Sequence, residues 1–195
     1  MLQGHFDPGF RSFDMDYSDL SRADRFISEL RRFEREGEMQ RLQIVRLPND
    51  HTSGTSAGKL TPTAFMTEND LACGRVVEAV SRSRFWWQTA IFVVEVYAQN
   101  GPDHVDAHRT IAYAVSPYSR RGALDSTMYS TASVLRTIEL ILELQPVSQF
   151  EAGLCQCSTP SRRNPIRVRI WLNFLARILK NGTARKRGAG NCRRK

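Results

Sequence analysis

The sequence predicts an α/β fold, a mainly parallel sheet with flanking helices. Short apolar runs rich in β-branched residues alternate with stretches of helical periodicity, and that alternation is the mark of strands joined by crossover helices. The helical stretches carry start and stop residues at their ends. A length of 195 residues, with 41% apolar and 25% charged residues, is enough for one domain with a core and is ordinary for a globular chain.

The first element is DLSRADRFISELRRFEREG, residues 19–37. It sets Leu20, Ala23, Ile27, Leu30 and either Phe26 or Phe33 on one helical face, with Ser21 and Asp24 resembling a capping box and Gly37 as a stop. RLQIVRL, residues 41–47, reads as a strand ended by Pro48. TPTAFMTENDLACGRVVEAVSRS, residues 61–83, reads as a helix with Thr61 as N-cap and Pro62 at its first position. Ala72, Val76 and Val80 repeat along it at four-residue steps, with Val77 beside them. AIFVVEV (90–96) and TIAYAVSPY (110–118) read as the second and third strands. STASVLRTIELILELQP (130–146) is the last well-marked helix, with Val134, Leu135, Ile138, Ile141 and Leu142 inward and Pro146 beyond its end. After Phe150 the pattern changes: GLCQCSTPSRRNP is loop-like, IRVRIWLNFLARILKNG has a short amphipathic pattern, and TARKRGAGNCRRK is a basic, flexible end. The expected organisation is therefore a domain over 1–150 and a basic tail over 151–195.

Charge divides along the same line. The formal net charge is +8. Residues 151–195 hold twelve Lys and Arg against one acid, and residues 1–150 hold sixteen against nineteen. Cys155, Cys157 and Cys192 lie in the tail, and Cys73 lies in a predicted helix as a buried free thiol; the spacing suits neither a disulfide framework nor a zinc finger. No run of eighteen apolar residues is present, so no transmembrane helix is expected. The opening MLQGHFDPGF shows no basic region followed by an apolar one, so no signal peptide is expected in this chain.

Two loops concentrate chemistry. PNDHTSGTSAGK leaves the first predicted strand with Asp50 and His51, and QNGPDHVDAHRT leaves the second with Asp103, His104, Asp106, His108 and Arg109. In open α/β sheets ligands gather at the carboxyl ends of strands. Parallel neighbouring strands would bring both loops to one edge. Carboxylates and imidazoles there suit a divalent cation, and three of the four histidines (His51, His104, His108) fall in these two loops. The same residues also suit plain hydrogen-bonded loops. SGTSAGKLT is not a phosphate-binding P-loop: that motif needs Gly where Ser53 stands and Ser or Thr where Leu60 stands.

The motifs RLPNDHTSGT, NDLACGRVVEAVSRSRFWWQTAIFVVE, QNGPDHVDAHRT, SPYSRRGALDSTMYST and SVLRTIELIL, in this order, resemble the C-terminal half of a bacterial phosphoesterase. The family is the phospholipase C and acid phosphatase-like branch of the alkaline phosphatase superfamily, and the likeness runs from about Gly4 to Phe150. The resemblance implies a partial alkaline-phosphatase-like domain and a hydrolase of phosphate ester bonds. In that superfamily a Ser or Thr attacks phosphorus, a covalent phospho-enzyme forms and water releases phosphate, with metal ions as Lewis acids and templates. It implies a divalent metal ion (Zn, Mn, Fe or Ca) at Asp50, His51, Asp103, His104 and His108, with Arg109 binding phosphate. It also implies a phosphate-ester small molecule or a phospholipid as substrate, and relatives that are often exported.

Three departures bear on activity. In relatives the strand matching AIFVVE ends in two adjacent acidic ligands; here Glu95 is kept but Val96 and Tyr97 follow, so metal binding is expected to be impaired. The family nucleophile lies in the half that precedes these motifs, so no catalytic residue is assigned; Thr52, Ser53 and Thr55 read as loop residues. Relatives continue past the position of Phe150 with an acidic segment, where this chain is rich in Cys and Arg, as from a shifted reading frame or a foreign end. The expectation is a phosphoesterase-family chain that is incomplete and weak or inactive alone. The alternative is a non-catalytic anion- or phosphate-binding module with a basic tail. Specific nucleic-acid binding is not expected, because the tail lacks regular aromatic interleaving and any reader motif.

Overall fold

A computed structural model describes residues 4–95, 110–120 and 122–154. The chain forms two compact units, whose described parts are residues 4–91 for the first and 92–95, 110–120 and 122–154 for the second.

The first unit is a helical pair. Helix α1 spans Asp19–Glu36 and helix α2 spans Pro62–Arg82, and the two pack on each other. Ser18 caps α1, its Oγ accepting from the amides of Leu20 and Ser21. The cap is therefore three residues before the Ser21 read from sequence, because Ser18 can hold extended backbone while Asp19 already lies in the first turn, where a carboxylate complements the helix dipole. Gly37 ends α1 in the left-handed region at φ 84°, its amide donating to the Phe33 carbonyl. Thr61 caps α2, with Pro62 in its first turn.

Ala23, Leu30 and Phe33 of α1 and Phe65, Ala72 and Val80 of α2 form the buried core. Burying a Leu, Val or Phe side chain contributes roughly 1.5–3 kcal/mol, so these residues hold the pair together. In α1, Phe33 rather than Phe26 is the buried aromatic residue. Cys73 is half-buried; burial, and after it the charge of Asp70, push its thiol up.

The segment 41–47, read as a strand from its sequence, has no strand pairing among the described residues. Leu42 and Ile44 are exposed, and the Leu47 carbonyl accepts from the Asn69 side chain of α2 at 2.9 Å. A β-rich sequence forms a strand only where a neighbouring backbone completes the ladder; here a side-chain amide takes that place.

In the second unit, β1 (Ile91–Val94) pairs with β2 (Ala112–Val115) in a two-stranded antiparallel sheet. Antiparallel pairing means that these two strands are not a parallel crossover unit. Helix α3 spans Thr131–Ile141 and a single turn, α4, spans Gln149–Ala152. Ser130 and Ser133 form a reciprocal capping box on α3. The inward face of α3 differs from the sequence reading. Ser133, Thr137 and Glu139 are buried, whereas Val134, Ile138, Ile141 and Leu142 are half-buried and Leu135 is 42% exposed. Local bonds fix that choice: Thr137 Oγ1 donates to the Ser133 carbonyl at 2.7 Å, and Glu139 accepts from Arg136 at 3.1 Å and from the Val147 amide at 3.2 Å. The tail beyond Leu154, with Cys155, Cys157 and Cys192, lies outside the described residues.

Candidate functional site

The candidate site grows from one buried guanidinium. Arg22 is fully buried on α1 and uses every arm of its fork. Nε donates to the Arg11 carbonyl at 3.0 Å, and Nη2 donates to the carbonyls of Ser12 and Asp14 at 2.7 and 2.9 Å. Nη1 donates to the Tyr17 carbonyl at 2.6 Å, to Asp19 Oδ1 at 3.0 Å and, more weakly, to Asn49 Oδ1 at 3.5 Å. The guanidinium also lies over the Tyr17 ring at 5.1 Å. A buried charge is tolerated only when paired and fully hydrogen-bonded, and this one is.

Asp19 passes the order on. Its Oδ2 accepts from the Asn49 backbone amide and from the Asn69 side chain, both at 2.9 Å. The Asn49 side chain in turn donates to the Tyr17 carbonyl at 3.2 Å and to Glu68 at 3.3 Å. Glu68 also accepts from Ser18 Oγ, so the cap of α1 is tied to α2. Asn49 is thus a buried anchor for the single 3₁₀ turn Asn49–His51.

That turn presents Asp50 and His51 to solvent. His51 Nδ1 lies 3.2 Å from the Thr52 carbonyl oxygen. A carbonyl only accepts, so in this contact Nδ1 is the donor. Thr52 sits at φ 59°, ψ 170°, a region that a β-branched residue rarely adopts. Its Oγ1 accepts from the Gly54 amide at 3.2 Å, which helps hold the turn. Strain of this kind is stored where the surroundings fix the backbone, and here the Asn49 anchor does so.

Asp50 and His51 are the two predicted ligands that the described residues place together. Asp103, His104, His108 and Arg109, and the substituted positions Val96 and Tyr97, lie outside the described residues. Among the described residues no group of three or more His, Cys, Asp or Glu is placed to hold a metal ion. Two such residues do not by themselves make a metal site, since structural or catalytic zinc takes at least three protein ligands. Glu95, at the end of β1, accepts from Thr110 Oγ1 at 2.7 Å and so joins the two ends of the intervening segment.

Two neighbours of the turn escape any sequence pattern. Phe13 meets the His51 ring edge-on, with centroids 5.8 Å apart and planes at 84°. Arg46 lies over the same Phe13 ring at 4.9 Å. Lys59 pairs with Asp16, tying the Gly- and Ser-rich loop after His51 to the segment that carries Phe13. These contacts join residues more than thirty positions apart, and short-range periodicity carries no trace of them.

Compared with family models, with characterised proteins and with solved structures, the chain finds no match in any of the three. No helix among the described residues is long and apolar enough to cross a membrane.

Proposed function

We propose that the chain is a phosphoesterase-family protein, built around metal-assisted hydrolysis of phosphate ester bonds and weak or inactive as it stands. The motif resemblance motivates this reading. The observation that carries it is the Asp50–His51 pair, exposed on a turn anchored by buried Asn49. Preorganised ligands on a fixed backbone are what a metal site requires. The metal, when bound, would polarise phosphoryl oxygens; Asp50 and His51 would supply a carboxylate and an imidazole to hold it. The remaining ligands of this proposal are Asp103, His104 and His108, with Arg109 on the phosphate.

Restoring the paired acids tests the reading. Val96→Asp with Tyr97→Asp should raise affinity for Zn²⁺ or Mn²⁺ by at least about tenfold, since two carboxylates return the charge a divalent cation needs. Changing His108→Ala as well should abolish the gain. Titration calorimetry on parent, double and triple variants measures this, and equal affinity in parent and double variant overturns the proposed ligand set. The parent itself should show no turnover on chromogenic phosphate esters. Metal-dependent turnover that survives repurification and is lost in His104→Ala would show that the chain is an active enzyme.

A further inference from the structure

We infer that Arg46, whose guanidinium lies over the same Phe13 ring that His51 meets, is an oxyanion-binding residue that takes the phosphate group of a ligand at this turn. The inference rests on the proposed function for the class of ligand and goes beyond it in naming the group that grips the anion.

Three observations support it. Arg46 is exposed, and its guanidinium lies 4.9 Å over the face of Phe13. A cation over a ring face spends none of the guanidinium's N–H donors, and that fork matches two oxygens of a phosphate. Among the described residues Arg46 donates no hydrogen bond and makes no ion pair, so that fork is not spent on a carboxylate. The imidazole of His51 lies against the edge of the same ring, so one aromatic side chain places a cation and an imidazole around it.

Phe13 is itself fixed from beneath. The carbonyls on either side of it, Ser12 and Asp14, are both held by Arg22 Nη2. Arg22 and its partner Asp19 also hold Asn49, two residues before His51. The backbone beside Phe13 and the Asn49 anchor of the His51 turn therefore both depend on one buried ion pair, and holding them before a ligand arrives lowers the ordering cost of binding. Asp50 directly precedes His51, and a carboxylate near an anion opposes it, so phosphate binding in the metal-free protein should be weak and should tighten when that charge is removed.

The test is NMR on the metal-free full chain, following the Arg46 Nε–H and His51 ring signals as inorganic phosphate is added, with sodium chloride at matched ionic strength as the blank. Saturable shifts of both signals with phosphate, and none with chloride, are expected. Arg46→Gln should weaken the apparent affinity roughly three- to tenfold, the loss expected for an exposed charge-assisted pair. Phe13→Leu should weaken it in the same direction by freeing Arg46, and Arg35→Gln, at the end of α1, should leave it unchanged. Asp50→Asn should tighten phosphate binding while weakening any metal binding, so the two sites are read separately. A parallel titration with glycerol phosphate identifies the source: tighter binding than inorganic phosphate assigns a phosphate ester, weaker binding assigns the free ion. Shifts that are equal with chloride, or unchanged in Arg46→Gln, overturn the inference. A failed metal titration with intact phosphate binding would remove the metal reading and leave Arg46 standing.

Discussion

Among the described residues, the segment 4–18 before α1 has no helix or strand, yet two arginines of α1 hold it. Arg22 takes its carbonyls, and Arg25 grips Asp7 in a two-pronged pair, with both N···O distances 2.7 Å. The Arg25 hydrogen bonds hold the Asp7 carboxyl below the usual carboxylate range; burial opposes this, and the Gly9 amide at 2.8 Å adds to it. The ordinary value for a free aspartate is about 3.9. A carboxyl with a depressed folded value contributes stability that is present above the unfolded value and lost as pH falls through the folded one. Asp7→Asn should therefore lower the melting temperature by a few degrees near neutral pH, a modest change because Arg25 is partly exposed. The difference from the parent should hold down to about pH 5 and close below about pH 4. Melts of both proteins across that range measure it. A gap that persists into strong acid would show that Asp7 acts through packing and not through charge.

At the scale of elements, legibility depended on how local each cause was. Helices α1 and α2 could be read because their signals lie within a few residues of their ends: Thr61 with Pro62, and Gly37. Gly37→Ala should destabilise the first unit by about 1–2 kcal/mol, since a Cβ at φ 84° meets its own carbonyl; chemical denaturation measures this. The segment 41–47 could not be read, because what satisfies its Leu47 carbonyl is Asn69, twenty-two residues later. The inward face of α3 departs from its apolar periodicity because periodicity carries no sign of the back-bonding of Thr137 or the double engagement of Glu139. The site divides in the same way. Asp50 and His51 were visible as chemistry in a loop, whereas Phe13, Arg46 and the Arg22 hub required the fold. Arg22→Ala should cost about 3–5 kcal/mol, because Asp19 would remain buried without its counter-charge. A loss below about 1 kcal/mol by urea unfolding would mean that water replaces the guanidinium and that the hub does not anchor the turn.

Across the whole molecule the apolar core is unevenly placed. All six fully buried apolar residues among those described, Ala23, Leu30, Phe33, Phe65, Ala72 and Val80, belong to the first unit. In the second unit the described residues bury polar groups, while Leu124 and Met128 are each 93% exposed and Tyr113 of β2 is 58% exposed. A two-stranded sheet is marginal in water unless a third strand or a helix covers it, and burial supplies most of the free energy that resists opening. Local opening should therefore be cheaper in the second unit. Hydrogen exchange on the full chain should show the amides of α1 and α2 protected at least about tenfold more strongly than those of β1, β2 and α3, a difference of about 1.4 kcal/mol in opening. The same experiment with Zn²⁺ or Mn²⁺ bears on the proposed ligand set, which joins Asp50 to His104 and His108. A cation bound by the folded form alone raises the cost of opening every segment that holds a ligand. Added metal should slow exchange in the peptide carrying Asp50 and His51 together with those carrying His104 and His108, and should do so more strongly in the Val96→Asp, Tyr97→Asp protein. Protection confined to the Asp50–His51 peptide would mean that this turn binds the cation without the second loop. Equal protection of the two units without metal would mean that the second unit is stabilised by contacts beyond the described residues.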